Sequence, residues 1–276
     1  MTEAIPTDVP TAEPVALAVA QFAPTTDASA NLEQITALTA LAVARGAGVV
    51  VFPEYSSAFL DPFDESLAGH AQPLDGPFTA ALTRLAAEHD IHIVAGLLER
   101  AHASRVHNTL VAVGGDGIRA RYRKTHLYDA FGQRESDWVE PGELAEPETF
   151  VVGGVRFGLQ TCYDLRFPEV TRTVADAGAD AVLVPAQWVR GPLKEMHWRT
   201  LIQARAIENT VYVAGADHPP PLGVGNSMIV DPQGVTVAAV GTATDVAVAS
   251  VSPAAIAAVR RINPSLALRR YRVVPR

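Results

Sequence analysis

Val151-Val152-Gly153-Gly154-Val155-Arg156-Phe157-Gly158-Leu159-Gln160-Thr161 runs directly into Cys162-Tyr163-Asp164-Leu165-Arg166-Phe167-Pro168-Glu169. The first part is apolar and interrupted by Gly153-Gly154, the pattern of a tight hairpin ending in a strand. In the second part Pro168 stands where a first helical turn begins, because its fixed φ suits that position and its missing N–H is not needed there. Glu169 suits the positive end of the same helix. Cys162, the single cysteine of the chain, therefore falls at a strand-to-helix junction, where a thiol is held from both sides and can face a pocket. A free cysteine is more often a buried structural residue, so this stretch needs partners before it implies chemistry.

Strands and helices alternate outward from it. Residues 15–21 are apolar throughout, as in a strand buried on both faces. Residues 31–45 place Leu32, Ile35, Leu38, Leu41 and Ala42 at helical spacing, and Gly46 and Gly48 end the helix. Residues 49–52 form a second buried strand that stops at Pro53-Glu54. Such a β-α-β unit implies parallel strands, and Glu54 then lies at a strand's carboxyl end, where α/β sheets hold ligands. A helix over 78–89 and strands over 91–98, 108–113 and 118–123 follow. Arg119, Arg121 and Arg123 read as a solvated strand face that delivers Lys124. Residues 126–142 form a long irregular connection with Asp129, Phe131, Glu135, Trp138 and Glu140, of a length that usually carries function. Beyond Cys162 come a helix over 170–176, a strand over 181–185, a loop with Gln187 and Trp188, and a helix over 196–208. Four strands within 211–251 and a short helix over 253–261 complete the pattern. The expected division is a flexible tail over 1–14, one α/β domain over 15–262, and a C-terminal extension over 263–276 lying at a subunit interface.

The chain has 276 residues, 48% of them hydrophobic and 19% charged, with a formal net charge of −8. Those values describe a globular protein with a large core and give nucleic acid or an anionic membrane no basic surface to bind. One cysteine excludes an internal disulfide and any multi-cysteine zinc site. The eight histidines form no HExxH pair, so no metal is expected. No signal-peptide pattern or bilayer-length apolar run occurs, and a cytoplasmic protein is expected.

Glu54, Lys124 and Cys162 each follow a predicted strand, so they can converge on one edge. The thiolate, not the thiol, is the nucleophile, and a carboxylate within reach can take its proton. An ammonium beside it favours the thiolate and then stabilises the oxyanion formed on attack at a carbonyl. His126, two residues past the lysine, keeps a Cys–His pair open as an alternative.

Three segments in this order resemble the nitrilase, or carbon–nitrogen hydrolase, superfamily: Val51-Phe52-Pro53-Glu54-Tyr55, Tyr122-Arg123-Lys124-Thr125-His126-Leu127 and Thr161-Cys162-Tyr163-Asp164-Leu165-Arg166-Phe167-Pro168-Glu169. Ala204-Arg205-Ala206-Ile207-Glu208-Asn209 and the segment from Gly225 to Gly234 extend the likeness. The resemblance implies a four-layer α-β-β-α sandwich, commonly dimerised through helices into a homodimer or higher homo-oligomer. It implies Glu54 as general base, Lys124 as oxyanion stabiliser and Cys162 as nucleophile, with no cofactor. It also implies a second pocket glutamate, for which Glu135 matches by position with Glu140 as rival. The backbone N–H of Tyr163 would be the second oxyanion donor. Tyr55, Phe131, Trp138, Gln187 and Trp188 are expected to line the pocket. Asp164, Arg166 and Glu169 are expected to brace the cysteine loop as an ion-pair network, and Asn108 to pair with loop backbone. Asn226 departs from the histidine often found there in the amidase branch. The wording of the cysteine motif resembles ω-amidases and deaminated-glutathione amidases, which implies a small carboxylate-bearing amide as substrate. N-carbamoyl amino acids and nitriles are the alternatives within the superfamily. A non-catalytic binding protein and a redox thiol protein are the alternatives outside that chemistry.

Overall fold

The computed structural model describes residues 13–102 and 104–276, so the expected N-terminal tail lies outside the described residues except for Glu13 and Pro14, both exposed. Strand β1 (Val15–Gln21) leads to helix α1 (Ala28–Ala44), β2 (Val49–Val51), helix α2 (Pro77–His89) and β3 (His92–Arg100). The Asp27 carboxylate starts α1 by accepting the N–H groups of Ser29 and Ala30, so the helix begins four residues before Leu32, the first residue of its apolar stripe. The three strands are parallel, in register Leu17↔Val49 and Val49↔His92. Strand β4 (Val106–Gly114) adds antiparallel to β3, and β5 (Gly117–Arg123) antiparallel to β4. Two reversals leave β5 running the same way as β3, so Lys124 emerges at the same edge as Glu54.

The second half repeats this plan. The hairpin of β6 (Thr149–Val152) and β7 (Val155–Leu159) is followed by α3 (Pro168–Asp176), β8 (Ala181–Pro185), α4 (Lys194–Asn209) and β9 (Tyr212–Ala216). Strands β7, β8 and β9 are parallel, and β10 (Met228–Val230) and β11 (Thr236–Ala239) extend the sheet antiparallel. Strand β12 (Asp245–Val251) returns to pair with β1 in the first sheet, and α5 (Pro253–Ile262) follows. Residues 263–276 contain no strand or helix.

The sheets have six strands each, ordered β12-β1-β2-β3-β4-β5 and β11-β10-β9-β8-β7-β6. Leu17, Val19, Val51, Leu110, Phe157, Leu183 and Ile229 fill the space between them. Outside the first sheet, Ile35 and Leu38 of α1 and Phe78 and Leu82 of α2 pack with Phe22 and Phe52. Outside the second, Val174 of α3 and Trp198 and Ile202 of α4 pack on Val182 and Val213. The result is a four-layer α-β-β-α sandwich. Each parallel strand is buried on both faces, which explains why these segments read as continuous apolar runs rather than alternating ones.

Candidate active site

The carboxyl ends of β2, β5, β7, β8 and β9 meet at one edge, and each releases a polar residue there: Glu54, Lys124, Cys162, Gln187 and Asp217. Gly96 in β3 makes the first placement possible. A Cβ at that position would come 2.3 Å from the Tyr55 nitrogen and 2.7 Å from the Glu54 carbonyl carbon, so only glycine lets this turn lie against the sheet. Cys162 has φ of 41°, opening a short 3-10 turn from Cys162 to Arg166 before Pro168 begins α3. This left-handed conformation costs of order 1–3 kcal/mol outside glycine and lifts the thiol out of the strand line. Asp164 holds the turn by accepting the Thr161 N–H at 3.2 Å.

Glu54, Lys124, Glu135 and Cys162 come together and are 1%, 2%, 6% and 6% exposed. Lys124 Nζ lies 2.9 Å from Glu54 Oε1 and 2.8 Å from Glu135 Oε2. Asn108 Nδ2 donates to Glu54 Oε1 at 2.6 Å and to Glu135 Oε1 at 3.1 Å. Tyr55 donates its hydroxyl to Glu135 Oε1 at 2.5 Å, and the Tyr128 N–H donates to Oε2 at 2.6 Å. Glu54 Oε2 accepts the Gln187 N–H at 2.6 Å, and its backbone carbonyl accepts from His218 Nε2 at 2.8 Å. The Cys162 thiol donates to the Gln187 carbonyl at 3.5 Å and lies within hydrogen-bond reach of Glu54.

Burial, then the Glu54 charge, pushes the Cys162 thiol well above its usual range against the pull of Lys124. Burial draws the Lys124 ammonium down, but Glu135 and Glu54 outweigh it and hold the group well above the ordinary lysine value. Burial works to raise Glu135, and Lys124 and the Tyr55 hydroxyl overcome it to hold the carboxyl below its usual range. The resting site thus contains a neutral thiol and an ammonium held between Glu54 and Glu135. Groups this close titrate as a unit.

The cavity above the thiol has a volume of about 400 Å³ and includes Tyr55, Trp138, Tyr163, Gln187 and Trp188 in its wall. Phe131 is not in that wall; it is 66% exposed and covers the Lys194 ammonium, 3.7 Å from its ring centre. Glu140 is outside as well, beside Arg105 and His107, so Glu135 is the glutamate on the lysine. His126 bonds Asp164 through Nδ1 at 2.8 Å, stacks on Phe167 and is not in the wall of the cavity that holds the thiol, so the geometry does not bring the Cys–His alternative together.

The bracing of the cysteine loop also differs from expectation. Asp164 does brace it, but through Tyr122, Thr125 and His126 of the lysine segment, tying the two motifs together. Arg166 instead lines the cavity, stacked on Trp188, and Glu169 forms no ion pair among the described residues. Asn108 bonds the carboxylates rather than loop backbone; a polar residue inside the apolar strand β4 was the available signal. Asn226, with φ of 55°, accepts from Arg199 and Trp198 behind the site, a packing role.

Sequence reading missed Tyr128, Asp217 and His218, whose loops carry no motif, and Lys194, the first residue of α4. His218 is fully buried, and burial lowers its pKa from 6.5 to about 4. The folded chain keeps it neutral, whereas the unfolded chain protonates it below about pH 6.5. Its contribution to stability is therefore complete above that pH and is lost as pH falls towards 4, by about 3 kcal/mol. Urea unfolding at pH 7 and 4.5 should show a smaller acid loss in His218→Gln than in the parent chain. Equal losses would remove His218 from the account.

A buried carboxylate–ammonium–carboxylate cluster against a single thiol, at one edge of two stacked α/β sheets, is built for attack on carbon. The chain belongs to the carbon–nitrogen hydrolase family, whose model matches residues 16–261, and it is an enzyme of that class. It is 40% identical over 223 residues to the deaminated glutathione amidase of Escherichia coli O157:H7, covering 81% of this chain and 85% of that one. It is 31% identical over 240 residues to omega-amidase NIT2 of Homo sapiens, covering 82% and 84%. A mutant of the amidase from Nesterenkonia sp. AN1, whose active-site cysteine carries the acetamide moiety of fluoroacetamide, superposes with a TM-score of 0.77 at 26% identity, covering 94% and 98%.

Proposed function

We propose that this enzyme is a cofactor-free amidase that releases ammonia from a small carboxylate-bearing amide through a Cys162 thioester. The observation that carries the reading is the thiol at the cavity floor with Glu54 in reach and Lys124 beside it. Glu54 takes the thiol proton as Sγ attacks the amide carbon, then gives it to the departing ammonia. Lys124 and the backbone N–H of Tyr163 receive the oxyanion. Glu54 next activates a water, which releases the carboxylate product and restores the thiol. Glu135, with Asn108 and Tyr55, holds Lys124 in place. The adduct on the Nesterenkonia enzyme's cysteine and the amidase activity in the relatives' names support this reading.

Arg166 and Lys194 support an anionic substrate. Both line the cavity, and neither pairs with a carboxylate among the described residues. The exposed apolar side chains Met196 and Ile207 on α4 and Leu268 and Tyr271 near the C-terminus support association of two copies, with the 263–276 extension at the interface. A catalytic thiol also favours a reducing compartment such as the cytoplasm.

The test is ammonia release from ω-amides of dicarboxylic acids, neutral amides, N-carbamoyl amino acids and nitriles. Cys162-dependent release is expected from the carboxylate-bearing amides first. Release from carbamoyl compounds or nitriles alone would replace the amidase reading. No release from a folded enzyme with a titratable thiol would favour a binding or redox protein.

A further inference from the structure

Asp217 is a buried carboxylate that the reaction above does not use. It follows β9 and forms no ion pair among the described residues. Its oxygens are met by backbone alone, and burial holds its carboxyl well above the usual carboxylate range despite those N–H groups. Oδ1 accepts the Trp188 N–H at 2.7 Å, Oδ2 accepts the Val224 N–H at 2.9 Å, and the N–H of His218 lies beside it. Burying a carboxylate without a cation is costly, so the arrangement needs a reason. Gly223 makes room for it: a Cβ there would stand 2.8 Å from Oδ2 and 2.4 Å from the His218 carbonyl oxygen.

The reason lies in one peptide plane. The Trp188 N–H and the Gln187 C=O belong to the same peptide and point in opposite directions. One end bonds Asp217, and the other accepts the Cys162 thiol. The preceding peptide donates its Gln187 N–H to Glu54 Oε2. Two consecutive peptides thus touch the nucleophile and its base, and Asp217 anchors the second of them.

We propose that Asp217 is a positioning residue: it locks the Gln187–Trp188 peptide so that the carbonyl holds the Cys162 thiol protonated and aimed beside Glu54 until substrate arrives. The carbonyl stabilises only the S–H form, and Asp217, once ionised, disfavours thiolate from the same side. The other groups facing the sulfur are Glu54, Lys124, Tyr55, Tyr128 and Lys194. The proposal adds to the amidase reading but is measured on the thiol itself.

The experiment is the pH profile of iodoacetamide alkylation, read by mass at the single cysteine, together with kcat and KM on the best amide. In Asp217→Asn the amide still accepts the Trp188 N–H, but its own NH2 now opposes the Val224 N–H and the charge is gone. Alkylation is expected to reach half-rate about one pH unit lower. kcat is expected to fall about 10- to 100-fold with KM little changed. A thiol that grows more reactive while turnover drops is not what general loosening produces. Gly223→Ala displaces the carboxylate without removing its charge and should move both readouts in the same direction, less far. Ser227→Ala, which takes away the acceptor of the Asp217 N–H, is the control for a loosened segment and should leave the alkylation profile in place. An unchanged profile in a folded Asp217→Asn, or in Gly223→Ala if the asparagine variant does not fold, would overturn the proposal. So would an equal shift in Ser227→Ala. If the parent chain releases no ammonia from any amide, the alkylation arm still decides this point while the amidase reading falls.

Discussion

Cys162→Ala should abolish turnover, with ammonia release falling by a factor on the order of 10⁵ or more. The size of the effect follows from the cavity wall. Cys162 is the only cysteine in the chain, and His126 is not in the cavity wall. The hydroxyls that line the cavity, such as those of Tyr55 and Tyr128, are raised by burial and cannot substitute at neutral pH. Water activated by Glu54 without a covalent intermediate is the sole residual route. Folding should be nearly unaffected. The substitution removes one sulfur at a position whose positive φ alanine tolerates no worse than cysteine. Calorimetry should therefore find the variant folded and still able to bind the amide. Turnover within tenfold of the parent would end the thioester mechanism.

Lys124→Met should damage both activity and stability. The ammonium is the cation between Glu54 and Glu135, which are both buried. Its removal deletes one oxyanion donor, worth about 10²–10³ in kcat. It also leaves two carboxylates facing each other across Asn108. Breaking a buried pair by removing one partner costs about 3–5 kcal/mol, unless a proton is taken up instead. One proton shared between Glu54 and Glu135 is the expected response, and it removes the general base. The combined loss of kcat should thus exceed that of a lost donor alone, and it should lessen as pH rises and the shared proton dissociates. Urea unfolding across pH 6 to 9 together with kcat at each pH checks both parts. An activity loss that is flat with pH would mean that Lys124 acts on the oxyanion alone.

Much of this molecule could be read from the chain itself. The continuous apolar runs at β1, β2 and β8 fixed parallel, doubly buried strands, because no half-solvated strand tolerates such patterning. Pro168 marked the start of α3 through its own ring geometry. Glu54, Lys124 and Cys162 could be singled out because each ends a strand, and strand ends on one side of a sheet must share an edge. The structure alone decided what surrounds them. Glu135 matches by position with Glu140 as rival, and the structure separates them: the short turn at Glu135–Asp137 carries the first inward while Arg105 and His107 hold the second outside the cavity. Phe131 reads as a pocket aromatic, yet its positive φ turns it outward over Lys194. Asp217 and His218 carry no local signal, and the polar Asn108 inside β4 does not reveal what it bonds, because their partners lie 29, 164 and 54 residues away. Local propensity and patterning act over a few residues and so determined the elements and their ends. The hydrogen bonds from Gln187 and His218 that orient the base Glu54 are made between loops from both sheets, and only the packing of one sheet on the other brings them within reach.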